Sequence, residues 1–170
     1  MFDVARLNAL PGPEARAALL RCCGAVRGAE QMSARRPFAA AADVFAAARA
    51  VGKTLSPADW LEAFAAHPRI GDLNSLRKKF PHTAAWSTQE QSSLASAAEA
   101  TLAALAAGNQ TYEARFGHIF IVCATGKTPD EMLALLEQRL DNAPGEELRI
   151  AAAEQEKITL LRLQKLLQVA

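Results

Sequence analysis

Only one stretch of the sequence has the composition of a β-strand, the apolar run His118–Ala124. β-branched and aromatic residues favour strands, but a strand also needs a neighbour that pairs with its backbone. No second run of this kind occurs along the 170 residues. The run is therefore predicted to be buried but helical or irregular, and the chain is predicted to contain no significant sheet.

The rest of the sequence contains the start and stop signals of a series of helices. Alanine, the strongest helix former, is abundant, and a capping hydroxyl precedes proline at Ser56–Pro57 and Thr128–Pro129, where helices can begin. Gly108–Asn109 is expected to end or kink a long helix. The predicted helices are 13–23, 29–36, 40–50, 57–66, 87–107, 110–115, 128–140 and from about 146 to the end. We therefore predict one all-α, compact multi-helix domain over residues 1–170.

Charge and composition argue against several classes of protein. The 19 basic and 18 acidic residues nearly cancel, so no nucleic-acid partner is expected, and the cations at 77–79 are expected to form a solvated loop. No apolar run approaches the roughly 20 residues of a membrane span, and the N-terminus lacks the layout of a signal peptide. The three cysteines suit neither a disulfide framework nor a metal site, which predicts a reducing, cytoplasmic location.

A histidine stands where the helix 57–66 is expected to end. Trp60, Leu61 and Phe64 recur at helical spacing and are expected to be core, while Pro68 disfavours helical backbone in His67 before it. Histidine is the side chain whose ordinary pKa lies nearest to neutral pH. His67 is therefore a candidate proton carrier, or else a helix-terminal residue that only satisfies carbonyl groups.

Polar residues also gather at the predicted start of the long helix. Ser87 and Glu90 have the spacing of a capping box, and Gln91 follows without being needed for the cap. A helix N-terminus presents backbone N–H groups that bind carboxylates and other anions. This stretch can therefore be a cap, an anion-binding edge, or both.

Arg162 lies on the last predicted helix with apolar residues one turn before and one turn after it. An arginine in such a register either extends its charge to solvent or pairs with a buried group. In the second case it could hold a carbonyl or carboxylate ligand.

Other kinds of site have weak support. The three histidines, at 67, 82 and 118, are far apart and lack partners at ligand spacing, so no metal is expected. Cys123 lies in an apolar run, where a thiol is usually inert. There is neither a glycine-rich phosphate loop nor a dinucleotide fingerprint. What remains is a cofactor-free site that uses His, Glu, Arg and helix N-termini.

Four motifs together resemble a known family. They are His67–Asp72, Ser87–Gln91, Phe116–Gly117 leading into Phe120–Ala124, and Leu161–Leu163, in this order and spacing. They resemble the 2-oxo-4-hydroxy-4-carboxy-5-ureidoimidazoline (OHCU) decarboxylases of urate breakdown, and Arg36–Phe38 is similar to the N-terminal signature of that family. The resemblance implies an all-helical, cofactor-independent, homodimeric enzyme that removes CO2 from the ureidoimidazoline and yields (S)-allantoin.

The resemblance also implies roles for individual residues. His67 matches the catalytic proton donor, and Glu90 is expected to pair with it. Arg162 matches the arginine that holds the substrate. Pro68 matches a substrate-contacting position, and the polar substrate contacts of the family are matched by Ser87, Glu90 and Gln91.

One apolar segment is also implied to line the site. It matches a family segment that contacts substrate largely through its backbone, and it consists of Phe120, Ile121, Val122, Cys123 and Ala124. His118–Ile119, just before it, departs from the family pattern of an aromatic residue followed by proline. The approach to these backbone contacts is therefore expected to differ from that of many relatives.

Three other functions stay open at this point. A different metal-free lyase or hydrolase of a related ureide would share the pocket but differ in substrate. A non-enzymatic helical interaction module would present Trp60, Phe64 and leucines as a large exposed apolar patch. Nucleic-acid binding through the cations at 77–79 would depend on salt, and the balanced net charge argues against it.

Overall fold

The computed structural model describes residues 3–67 and 89–169, with the backbone alone over 89–96. These ranges contain helices and no strand, which confirms the all-α prediction. None of the described helices is long and apolar enough to cross a membrane. The helices are α1 Val4–Ala9, α2 Gly12–Cys23, α3 Val26–Ala34, α4 Ala41–Gly52, α5 Pro57–Ala65, α6 Gln89–Phe116, α7 Pro129–Leu140 and α8 Pro144–Leu167.

The chain divides into two compact units. The first contains residues up to His67 together with those from Leu148 onward, and the second runs from Pro68 to Glu147. The first unit therefore holds α1 to α5 and most of α8. Its core is formed by large apolar side chains, among them Leu7, Leu19, Met32, Phe38, Val44, Leu163 and Leu167.

Local capping sets several helix ends in the first unit, as the sequence predicts. Ser56 and Asp59 form a reciprocal capping box at the start of α5. Gly24 ends α2 in the left-handed conformation, with φ of 78°. A Cβ at Gly24 would lie 3.0 Å from the carbonyl oxygen of Ala63, so glycine also permits the end of α2 to approach α5. This approach places the ends of two helices beside each other.

The predicted core stripe of α5 is partly wrong. Phe64 is fully buried and Trp60 is half-buried, but Leu61 is 42% exposed. The buried face is centred instead on Ala63 and Phe64. Since each residue turns the helix by about 100°, Leu61 lies about 200° from Ala63 and faces away from the core.

In the second unit, α6 corrects the predicted break at Gly108–Asn109. The helix continues through both residues to Phe116, so the separate helix predicted over 110–115 is its last part. A Cβ at Gly108 would lie only 2.5 Å from Cδ2 of Leu136 on α7. Glycine is therefore needed here for close helix packing, and the surrounding helix tolerates its modest cost in propensity.

Candidate active site

His67 lies directly after the end of α5, as the sequence predicts. Its backbone N–H donates to the carbonyl oxygen of Phe64, at 3.1 Å, and closes the last turn. Its half-buried imidazole reaches α8, where Nε2 lies 2.6 Å from Oε1 of Gln155. The ring is thus tied to a side-chain amide from a helix 88 positions further along the chain.

Gln155 is a residue of this site that sequence reasoning missed. Its side chain has no solvent exposure, and its Nε2 donates to the carbonyl oxygen of Cys23, at 3.3 Å. The signal that could have identified it is its register, since it follows the buried Ala151 by one turn and precedes the buried Leu163 by about two. A polar side chain within an apolar register is uncommon unless it has buried partners.

Arg162 approaches the same helix end as Gln155. The two residues are seven positions apart, so they lie on one face of α8. Nη1 of the half-buried Arg162 donates to the carbonyl oxygen of Cys22, at 3.4 Å. The last carbonyl groups of α2 lack partners within their own helix, and α8 supplies two of them with donors. The structure therefore anchors His67 and Arg162 around the end of α2.

The thiols at this helix end are poor nucleophiles. Burial raises the pKa of the Cys22 thiol to about 11, and the neighbouring Cys23 adds to the shift, while the Arg162 guanidinium only partly opposes it. Burial likewise raises the pKa of Cys23. Both thiols are therefore protonated near neutral pH.

The second unit contains the segment Phe120–Ala124, which is irregular and so confirms one of the two predicted alternatives. The side chains of Ile121 and Cys123 are buried, at 2% and 8% exposure. The side chains of Phe120, Val122 and Ala124 are half-buried.

The side chains of this segment serve mainly to pack it in place. Phe120, Val122 and Ala124 lie against the core of the second unit, which includes Leu105 and Leu136. Val122 is thus held by packing. The carbonyl oxygens of Ile121 and Cys123 accept from the side chains of Arg139 and Lys127.

A buried ion pair holds this segment in place. Nη1 of Arg139 donates to the carbonyl oxygen of Ile121, at 2.8 Å, and its Nε donates to Oε1 of Glu147, at 2.8 Å. Tyr112 donates its hydroxyl to the same carboxylate oxygen, and Asn142 donates to the other, at 2.7 Å. The guanidinium carbon also lies 4.6 Å from the centre of the Phe120 ring. The position of the segment thus depends on residues that sequence reasoning did not identify.

The charge state of this cluster follows from its contacts. Burial by itself would raise the pKa of Glu147, but hydrogen bonds from Arg139, Tyr112 and Asn142 outweigh it and hold that pKa below its ordinary value. Burial, together with the bond to Glu147, raises the pKa of Tyr112. At neutral pH the cluster is therefore an ionised carboxylate and guanidinium beside a neutral phenol.

The remaining predicted site residues cannot be placed in this geometry. Pro68 and Ser87 lie outside the described residues. Glu90 and Gln91 are the second and third residues of α6, but their side chains also lie outside. Within the ranges that the structure does describe, no three His, Cys, Asp or Glu side chains gather as metal ligands.

Comparisons with known proteins agree with these motifs. The sequence model of the OHCU decarboxylase family matches residues 8–164. The uric acid degradation bifunctional protein TTL of Arabidopsis thaliana is 39% identical over 145 residues, which are 85% of this chain and 45% of that protein. The 2-oxo-4-hydroxy-4-carboxy-5-ureidoimidazoline decarboxylase of Haloferax volcanii is 29% identical over 135 residues, 79% of this chain and 77% of that one.

A solved structure is similar over most of the chain. A crystal structure of OHCU decarboxylase in the presence of (S)-allantoin has a TM-score of 0.69 and 40% sequence identity, covering 88% of this chain and 96% of that one. The chain thus spans less than half the length of the bifunctional relative but nearly all of the crystallised decarboxylase.

Proposed function

The chain belongs to the OHCU decarboxylase family of carboxy-lyases, and from this we propose that it decarboxylates 2-oxo-4-hydroxy-4-carboxy-5-ureidoimidazoline to (S)-allantoin and CO2 in urate degradation. The observation that carries the proposal is the match over residues 8–164, because this range includes every residue of the predicted site. The anchoring of His67 and Arg162 around the end of α2 supports it.

The proposed chemistry needs a proton donor and charge stabilisation. Loss of CO2 leaves an electron pair on a ring carbon of the substrate, and the conjugated ring can delocalise this charge without an added electron sink. His67 then protonates one face of that carbon, a role worth roughly 10²–10⁴-fold in rate. Face-selective protonation accounts for a single enantiomer of the product.

The other site residues have supporting roles in this proposal. Arg162 binds a carbonyl oxygen of the substrate, where its charge opposes the negative charge that develops. Glu90 holds either the imidazole or a ring N–H of the substrate in place. The backbone of the segment Phe120–Ala124 provides further contacts, as do Ser87, Gln91 and Pro68. We propose no metal and no cofactor, because these residues cover orientation, charge stabilisation and protonation.

The interaction-module alternative receives little support from the described residues. It requires a large exposed apolar patch that includes Trp60 and Phe64, yet Phe64 is fully buried and Trp60 is half-buried. In the ranges 3–67 and 97–169, the large hydrophobic side chains that are exposed are Val26, Leu61 and Val169. A few such residues are ordinary on a protein surface.

The assembly and the compartment are finer parts of the proposal. By resemblance to the family we infer a homodimer, which sedimentation equilibrium would test directly; a monomer at micromolar concentration would contradict it. A cytoplasmic location is supported by the three cysteines, all of which are free thiols.

Circular dichroism of freshly generated substrate tests the reaction and its stereochemistry together. The protein should produce the signal of (S)-allantoin much faster than the spontaneous decay to racemic product. His67→Asn should abolish this signal while its far-UV spectrum and thermal midpoint stay close to those of the parent protein. Near-normal turnover by His67→Asn would refute the assignment of the proton donor, and racemic decay in the presence of the parent protein would redirect the search to related ureides.

A further inference from the structure

The buried amide of Gln155 has contacts that packing alone does not require. The side chain has no solvent exposure and shares the apolar register of Ala151 and Leu163 on α8. Leucine or methionine would fill such a position without the cost of burying a polar group. We therefore expect the hydrogen bonds of the Gln155 amide to serve a function.

Those hydrogen bonds fix the orientation of the amide. The carbonyl oxygen of Cys23 can only accept, so the NH2 end of Gln155 must face it, and the 3.3 Å contact fits. The oxygen end then faces His67, 2.6 Å from Nε2. Because an amide oxygen can only accept, Nε2 of His67 must carry a hydrogen.

The partner that orients Gln155 is itself held firmly. Cys23 is the last residue of α2, and Gly24 beyond it donates to the carbonyl oxygen of Leu20 at 2.8 Å. The close approach of Gly24 to Ala63 fixes the end of α2 against α5, the helix that precedes His67. Gln155 therefore links the end of α2 to the imidazole that follows α5.

We propose that Gln155 is the positioning residue of His67: it holds Nε2–H, so that Nδ1 carries the proton delivered to the substrate. The proposal rests on the proposed decarboxylation. In the step, the Nδ1–H bond of the imidazolium breaks, the carbon–hydrogen bond forms with the electron pair left by CO2, and the imidazole remains neutral with its hydrogen on Nε2. Solvent returns the proton to Nδ1 before the next turnover.

A neutral acceptor suits this role better than a carboxylate. The second nitrogen of a working histidine is often held by a hydrogen bond that sets its tautomer and its direction. A carboxylate on the ring would stabilise the imidazolium strongly and so oppose release of the proton. Of the two roles open to Glu90, this proposal therefore takes the one in which it holds a ring N–H of the substrate. An amide orients the ring with less effect on its charge.

The first arm of the test is kinetic. Gln155→Met keeps the approximate length of the side chain but removes both hydrogen bonds, and we expect kcat to fall by about 10–100-fold, as for other residues that orient a functional histidine. KM should stay within about threefold, because Gln155 does not touch the substrate in this scheme. Gln164→Met, the same substitution at a half-buried position on the same helix, is the matched control and should leave both constants unchanged.

The second arm observes the imidazole directly by ¹⁵N-resolved NMR, with the signals of His67 identified by their loss in His67→Asn. At a pH at which the ring is neutral, the parent protein should show the Nε2–H tautomer with a slowly exchanging proton. In Gln155→Met that proton should exchange rapidly, and the ring should populate both tautomers. A role limited to stability would lower the thermal midpoint without this change.

The outcomes are distinct. Loss of kcat together with loss of the protected Nε2–H supports the proposal. Full kcat in Gln155→Met, or the Nδ1–H tautomer in the parent protein, overturns it. The spectrum of the parent protein tests the tautomer of His67 even if Gln155→Met does not fold. This measurement needs no substrate, so failure of the decarboxylase assay would refute the proposed function separately.

Discussion

The ion pair between Arg139 and Glu147 gives the sharpest test of what holds the segment Phe120–Ala124. Arg139 is 5% exposed and Glu147 is not exposed. The carboxylate accepts from four donors: Nε and Nη2 of Arg139, the hydroxyl of Tyr112 and the amide of Asn142. Arg139→Met removes two of these donors, the compensating charge, and the bond to the carbonyl oxygen of Ile121.

The expected magnitude follows from these contacts. Breaking a buried ion pair from one side costs about 3–5 kcal/mol, because it leaves an uncompensated buried charge. Arg139→Met and Glu147→Met should each lose that amount of the free energy of unfolding. If the two losses simply added, the double variant would lose about 6–10 kcal/mol, which is comparable to the whole stability of many domains. Since the double variant has no unpaired charge, we expect it to lose only about as much as either single variant.

Urea unfolding followed by far-UV circular dichroism measures all four proteins in one double-mutant cycle. The coupling free energy should be about 3–5 kcal/mol in favour of the pair. A loss below about 1 kcal/mol in Arg139→Met would refute the reasoning, since losses of this size are typical of exposed pairs. Additive losses in the double variant would equally refute it, because the two charges would then not compensate each other.

Two further predictions follow from the second unit. Because the pKa of Glu147 is held below its ordinary value, its contribution to stability is fully present above the unfolded pKa of about 4.3 and is lost as pH falls through the folded pKa. The acid slope of the free energy of unfolding should therefore be smaller in Glu147→Gln, and an unchanged slope would contradict the assignment. Gly108→Ala should lower that free energy by about 1–3 kcal/mol in urea unfolding, because its Cβ would overlap Leu136. Gly145→Ala, where the new Cβ meets nothing within 4 Å, is the control and should be neutral or slightly stabilising; equal losses at both positions would argue against the overlap.

Local chemistry made much of the fold predictable. The helix starts at Ser56–Pro57 and Thr128–Pro129 and the end of α2 at Cys23 all lie where the sequence placed them, because each depends on residues within a few positions. The position of His67 was predictable for the same reason, because the end of α5 and Pro68 are its immediate neighbours in the sequence. Gly108 shows the limit of this reasoning, since a glycine that breaks a helix and one that lets a neighbour approach look the same in sequence.

The candidate site was predictable only in part. The motifs identified His67, Arg162 and the segment Phe120–Ala124 through their resemblance to the family, but not the residues that hold them. Periodicity shows that Gln155 lies on an inward face and gives no sign of its partner. The sequence of Arg139 and its neighbours likewise indicates only a cation near a helix end, and the structure adds its hydrogen bond to the carbonyl oxygen of Ile121.

The sequence by itself determined the helical class, most helix ends and the position of His67 at the end of α5, because capping, proline geometry and helix propensity act between near neighbours. Only the tertiary structure decided which polar groups are buried and what they bind. Gln155 meets Cys23 from 132 positions away and His67 from 88. Such contacts depend on how helices that are distant in sequence pack against each other. Burial strengthens each contact, because a buried polar group without a hydrogen-bond partner destabilises the fold.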